Sequence, residues 1–119
     1  VFSGTFEQLS RSLQRIAGLP GGTRVYCAHE YTLANLGFAG WVEPDSPALQ
    51  SRTERERNRR VAGEPTVPSL LAEELATNPF MRTREANVIS AAEAWTGSAL
   101  PDADAVFKAL RTWKDRDYD

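Results

Sequence analysis

Apolar residues recur at helical spacing along most of the chain, and this pattern predicts a mostly α-helical protein. The first apolar stripe follows a capping-box pair, Thr5 and Gln8, and predicts a helix that ends near Gly18. The last predicted helix runs from Pro101 to about Lys114. The first stripe consists of Phe6, Leu9, Leu13 and Ile16, and the last of Val106, Phe107, Leu110 and Trp113.

Residues 23–27 depart from the helical pattern. The preceding residues 19–22, Leu-Pro-Gly-Gly, cannot continue a helix, and Thr-Arg-Val-Tyr-Cys is β-branched and aromatic, as in a half-buried strand. A single strand needs a hydrogen-bonding partner, and the sequence shows no second strand pattern. We therefore expect this strand to pair with a sheet formed by polypeptide outside this chain, so that the chain is one part of a larger protein.

Capping and stop residues divide the remainder into further helices. Three tryptophans lie on apolar stripes and are predicted to anchor the core: Trp41, Trp95 and Trp113. The predicted helices are Thr32 to Trp41, Pro47 to about Ala62 with Ser46 as cap and Gly63 as stop, a short helix capped by Ser69 that ends at Asn78, and Thr83 to Trp95 before Gly97. The fold class is therefore α+β and mostly α.

Composition excludes several classes of partner. Fourteen basic and 16 acidic residues give a net charge of −2, which offers no general attraction to nucleic acid or to an anionic membrane. No segment approaches the roughly 20 apolar residues that span a bilayer, and no signal peptide is evident. Cys27 is the single cysteine, so a reducing cytosol is the expected location. Because the chain begins at Val1, we expect a cut or incomplete polypeptide.

The densest run of charge is Arg52–Arg60, RTERERNRR. Its arginines could pair with nucleic-acid phosphates, but the interspersed glutamates favour a solvated helix surface. Adjacent Glu73 and Glu74 diverge by about 100° on a helix, so they are expected to face solvent rather than to form an acid/base pair.

His29 is the only histidine and follows the predicted strand. It could act as the base for a Cys27 nucleophile, although a buried, inert thiol is the favoured interpretation of that cysteine. It could also bind a metal, but catalytic zinc takes about three protein ligands. This chain alone therefore cannot hold a catalytic metal through histidines.

Two pairs of residues are spaced to share a helix face: Tyr31 with Asn35, and Arg111 with Lys114. The two cations could clamp a carboxylate. On spacing alone, however, an exposed helix end that favours positive charge is the preferred interpretation.

Six ordered segments make the chain resemble glyoxalase II, also called hydroxyacylglutathione hydrolase. They are Tyr26–Leu36 (YCAHEYTLANL), Glu43–Asp45, Pro65–Ser69, Glu73-Glu74, Asn78–Arg82 and Arg111–Asp115. The resemblance covers nearly the whole chain. Ala28 stands where the family usually has glycine, a small change.

The resemblance implies a metallo-β-lactamase αββα sandwich followed by a helical domain. Residues 1–30 would be the C-terminal edge of the sandwich, and residues 31–119 the glutathione-binding domain. His29 matches a ligand of a two-metal site that holds zinc, iron or manganese. The other six of the seven family ligands, among them the HxHxDH motif, would belong to an upstream segment, so this chain carries no catalytic residue of its own.

The same resemblance implies the reaction: a hydroxide activated by two divalent metal ions splits S-D-lactoylglutathione into D-lactate and glutathione, which disposes of methylglyoxal. Tyr31, Asn35, Arg111 and Lys114 match positions that contact the glutathione moiety. The expected partners are this small substrate and the upstream segment, in a monomer. The alternative is a catalytically inert helical module that keeps only the glutathione-contacting face.

Overall fold

The computed structural model describes residues 6–25 and 32–118, with side-chain environments from Gln8 onward. Its elements are α1 (Phe6–Ala17), β1 (Arg24–Val25), α2 (Thr32–Val42), α3 (Pro47–Val61), β2 (Ser69–Leu70), α4 (Leu71–Thr77), a 3-10 turn (Pro79–Met81), α5 (Ala86–Thr96), α6 (Ala103–Trp113) and a terminal π-helical turn (Lys114–Tyr118). The prediction of a mostly helical fold is confirmed. These elements do not test the predicted β-sandwich, which stays a prediction.

The described residues form two compact units. One, the middle unit, runs from Leu19 to Asn78. The other, the terminal unit, combines the residues up to Gly18 with those from Pro79 onward. The predicted division at residue 30 lies outside the described residues and stays a prediction.

The two strands of the middle unit pair with each other. They are antiparallel, with Arg24 opposite Leu70 and Val25 opposite Ser69. The backbone N–H of Leu71 also donates to the carbonyl of Thr23, at 2.7 Å. The expectation that the first strand has no partner within this chain was therefore wrong. A two-residue strand is too short to show the alternating pattern that identifies strands in a sequence.

The predicted start of α3 is confirmed. Ser46 Oγ accepts a hydrogen bond from the Leu49 N–H at 3.3 Å, and Pro47 occupies the first turn. Gly63 follows the helix with φ of 77°, in the left-handed region that glycine adopts without a side-chain clash.

The predicted starts of α4 and α5 were wrong. Ser69 does not cap α4, because its hydroxyl donates to Glu74 Oε2 at 2.9 Å and the cap position is Leu70. Thr83 is buried in the turn that precedes α5, which begins at Ala86.

The start of α6 is capped by Asp102, whose Oδ1 accepts a hydrogen bond from the Ala105 N–H at 2.8 Å. Replacing Asp102 by alanine is expected to lower the free energy of unfolding by about 1 kcal/mol, because the amide loses its partner. Asp102→Asn is the matched control, since asparagine caps about equally well. Urea unfolding followed by circular dichroism measures both. An equal loss in the two variants would contradict the capping role.

The core of the terminal unit lies where α1 and α5 pack on α6. Its buried apolar residues are Val88, Ala92, Val106, Phe107, Ala109 and Leu110. Phe80 meets Phe107 edge to face, with ring centroids 5.5 Å apart. On α1, Ser10 is buried and Ile16 is 39% exposed, so the predicted apolar stripe faces this core only in part.

The core of the middle unit lies between α2 and α3. Leu36, Ala39 and Leu49 form a buried cluster, against which Leu33 packs. Trp41 is 48% exposed, so its predicted role as a core anchor was wrong. No helix in the described part is both long and apolar enough to cross a membrane.

Candidate functional site

Arg111 and Lys114 lie one turn apart at the end of α6. The backbone N–H of Lys114 bonds to the carbonyls of Arg111 and Leu110, which fixes that one-turn spacing. Helix α6 ends at Trp113, and Lys114 begins the π-helical turn. Both cationic side chains are partly exposed. The structure therefore brings the two predicted cations together on adjoining turns, as their spacing suggested.

The Arg111 guanidinium is engaged on one side only. Its Nε lies 3.4 Å from Asp115 Oδ2, and the two side chains are 23% and 52% exposed. Within residues 6–25 and 32–118, no ion pair or hydrogen bond involves its two Nη groups. A guanidinium held through Nε presents its terminal edge to a carboxylate, which can accept two parallel hydrogen bonds there.

The turn that carries Lys114 contacts α5 through Trp95. The Trp95 and Trp113 rings stack with centroids 5.9 Å apart and an angle of 12°. The Arg116 guanidinium lies 5.6 Å from the Trp95 ring centroid, and Trp95 Nε1 donates to Asp117 Oδ2 at 2.9 Å. No local sequence pattern predicts this set of contacts, because Trp95 and Asp117 are 22 residues apart.

Asn35 is exposed on α2, in the middle unit. Its predicted neighbour Tyr31 lies outside the described residues, as do Cys27 and His29, so the roles predicted for all three stay predictions. Arg111 and Lys114 belong to the terminal unit.

No metal centre lies within the part of the chain that the structure describes. Among those residues, no three histidine, cysteine, aspartate or glutamate side chains are grouped closely enough to hold an ion.

The arginine-rich segment of α3 is not a solvated surface throughout. Arg52 is 5% exposed, and its Nη2 lies 2.7 Å from Glu74 Oε2. Its Nη1 donates to Thr77 Oγ1 at 2.7 Å. Asn78 Nδ2 in turn donates to Glu74 Oε1 at 3.0 Å. The expectation that Glu74 faces solvent was therefore wrong, because it is the partner of a buried arginine.

Glu56 is also buried, at 1% exposure, and its Oε1 lies 3.3 Å from Arg55 Nε and 3.7 Å from Arg59 Nη1. Arg55 also pairs with Glu73 at 2.7 Å. The pairs of Arg52 with Glu74 and of Arg55 with Glu73 connect α3 with α4, and the pairs made by Glu56 lie within α3. The expectation of a solvated surface was wrong for Arg52 and Glu56, while most of the other residues of the segment are exposed.

One cavity of about 310 Å³ in the terminal unit was not predicted. Its lining is the end of α1 and residues 80–85. A smaller cavity of about 170 Å³ includes Arg11 and Arg84 together with Asp102 and Asp104. The lining of the smaller cavity therefore carries charges of both signs.

Comparison with known proteins places the chain in a family. A family model described as hydroxyacylglutathione hydrolase C-terminus matches residues 30–117. A hydroxyacylglutathione hydrolase of Alkalilimnicola ehrlichii is 55% identical over 116 residues, 98% of this chain and 45% of that protein. Those of Halorhodospira halophila and Pseudomonas entomophila are 52% and 50% identical, each over 97% of this chain and over 45% and 44% of their own length.

The chain thus spans a little under half the length of the relatives it matches, and the resemblance found in its sequence is confirmed. The chain belongs to the hydroxyacylglutathione hydrolase family and corresponds to a C-terminal portion of its members.

Proposed function

We propose that this chain is the C-terminal portion of a thioester hydrolase that converts S-D-lactoylglutathione to D-lactate and glutathione. Family membership supports the proposal, since relatives of about twice the length carry the name hydroxyacylglutathione hydrolase. In this proposal the complete polypeptide performs the reaction, and this chain alone is inactive. It contributes the surface that binds the glutathione moiety.

The observation in the structure that carries the proposal is the pair of cations at the end of α6. Glutathione has carboxylates distant from its thioester, and the terminal edge of the Arg111 guanidinium fits such a group in two parallel hydrogen bonds. The Lys114 ammonium adds a second positive charge one turn away. Tyr31 and Asn35 are proposed to donate further hydrogen bonds to the tripeptide.

Binding at a distance from the reacting bond can accelerate the reaction. Contacts with the tripeptide hold the thioester carbonyl in one position relative to the group that attacks it, so the two no longer have to meet by random diffusion. The role of Arg111 and Lys114 in this proposal is therefore to orient the substrate. They take no part in bond cleavage.

We propose that the metal ions belong to the complete polypeptide, where two divalent cations, zinc or else iron or manganese, would supply an activated hydroxide. His29 is the one ligand that this chain would contribute. Among the described residues, no three histidine, cysteine, aspartate or glutamate side chains lie close enough together to hold an ion. None of these residues therefore acts at the metal ions in this proposal.

Removing either cation tests the proposal. In the polypeptide that joins this chain to its upstream segment, Arg111→Ala and Lys114→Ala are each expected to raise KM for S-D-lactoylglutathione about tenfold, because each removes a charge-assisted hydrogen bond. The kcat should change by less than about threefold, because neither side chain touches the thioester in this proposal. The loss of thioester absorbance during steady-state hydrolysis measures both constants.

Lys108→Ala is the matched control, because Lys108 is an exposed lysine on the same helix. An equal rise in KM for this variant would show a general charge effect and contradict the assigned site. If the parent polypeptide binds glutathione by calorimetry but hydrolyses no thioester, the inert binding module replaces the hydrolase as the better description.

A further inference from the structure

A single indole, that of Trp95, contacts the chain on both sides of Lys114. Trp113 stacks on it at 5.9 Å, Arg116 lies over it at 5.6 Å, and Asp117 accepts its N–H at 2.9 Å. Residues 113, 116 and 117 are therefore fixed against α5.

The contacts with the indole come from residues 113, 116 and 117. The side chains of Arg111 and Lys114, the two cations of the candidate site, are both partly exposed. The Trp95 contacts therefore leave the side chain of Lys114 accessible while they hold the backbone on either side of it. A change in the contact at residue 113 or 117 would rotate the turn and move the ammonium.

The terminal turn, Lys114–Tyr118, depends on such contacts because it buries no side chain of its own. None of the residues Lys114–Tyr118 is buried. An exposed last turn at a helix end opens readily unless side chains hold it to a neighbouring element. Stacking of two aromatic rings contributes about 0.5–1.5 kcal/mol beyond the area it buries, and a hydrogen bond and a cation–π contact add to it here.

We propose that Trp95 is a positioning residue for Lys114: by holding residues 113, 116 and 117, it sets where the ammonium meets the carboxylate of an acylated glutathione. The proposal rests on the proposed function. Trp95 itself touches no substrate. Its contribution to affinity passes entirely through the position of the terminal turn.

The experiment uses the polypeptide that joins this chain to its upstream segment. Trp95→Ala is expected to raise KM for S-D-lactoylglutathione about fivefold and to change kcat less than about twofold, since orientation at a remote group is lost. Trp95→Phe, which keeps an aromatic ring but loses the N–H to Asp117, should raise KM about twofold. Trp41→Ala is the matched control, because Trp41 is half exposed in the middle unit and should leave KM unchanged.

The decisive comparison is made in a Lys114→Ala background. There, Trp95→Ala should raise KM no further, because the group it positions is gone. A rise as large as in the parent, or an unchanged KM in the single variants, would overturn the positioning role. If Trp95→Ala fails to fold by circular dichroism, Trp95→Phe and Asp117→Ala carry the same comparison.

Failure of the proposed function is recognised separately. If the parent does not hydrolyse the thioester, the hydrolase proposal fails, and the same variants are then compared by the calorimetric Kd for glutathione. If the parent is active and the Trp95 variants keep its KM, the positioning proposal alone fails.

Discussion

Replacing Arg52 by methionine is expected to lower the free energy of unfolding by about 3–5 kcal/mol, because it leaves the Glu74 carboxylate with an unpaired charge at a poorly solvated position. The two side chains are 6% and 15% exposed, and their closest atoms are 2.7 Å apart. Thr77 would also lose the hydrogen bond that it accepts from Arg52. Urea unfolding of the polypeptide that carries this chain, followed by circular dichroism, measures the change.

The matched control is Arg57→Met, which makes the same substitution at an exposed position of the same helix. It should change the free energy of unfolding by less than about 0.5 kcal/mol. The double variant Arg52→Met with Glu74→Met should lose less than the sum of the two single variants, because it leaves no unpaired charge. Equal losses for the two arginine variants would contradict the buried network.

Replacing Phe107 by alanine is expected to lower the free energy of unfolding by about 3–5 kcal/mol, because it opens a cavity where α1 and the 3-10 turn meet α6. Phe107 is 1% exposed, and its ring meets Phe80 at 5.5 Å. The variant therefore loses both buried area and an edge-to-face contact. The same urea titration provides the measurement.

Lys108→Ala, one residue along on the exposed side of α6, should change the free energy of unfolding by less than about 0.5 kcal/mol. Phe107→Leu should lower the free energy of unfolding by about 1–1.5 kcal/mol, between the changes for Lys108→Ala and Phe107→Ala, since leucine retains much of the buried volume. If Phe107→Ala costs no more than Phe107→Leu, the side chain does not fill the core in the way described.

The sequence predicted helix ends best where the signal is local. Ser46, Pro47 and Gly63 mark the ends of α3 because a cap hydroxyl, a fixed φ and a positive φ act within one turn. The pair formed by Arg111 and Lys114 was predicted for the same reason, since helical spacing alone brings them to adjoining turns.

What the sequence could not predict depends on distant partners. The burial of Arg52 and Glu56 could not be predicted without knowing that α4 packs on α3. The four-residue spacing of these two residues alone does not distinguish a buried helix face from a charged, exposed one. Strand β2 exists because it pairs with β1, more than 40 residues earlier. Likewise, the Trp95 contacts join α5 to a turn whose geometry no local pattern encodes. His29 and Tyr31, outside the described residues, stay predictions.

The discontinuous make-up of the terminal unit has a consequence for biosynthesis. Helix α1 packs on α6, and the whole middle unit lies between them in the chain. Because ribosomes add about 5–20 residues per second, α1 emerges several seconds before its packing partner exists. The middle unit, continuous from Leu19 to Asn78, can acquire its own core in that interval. Helix α1 therefore stays without this packing partner until α6 has been synthesised.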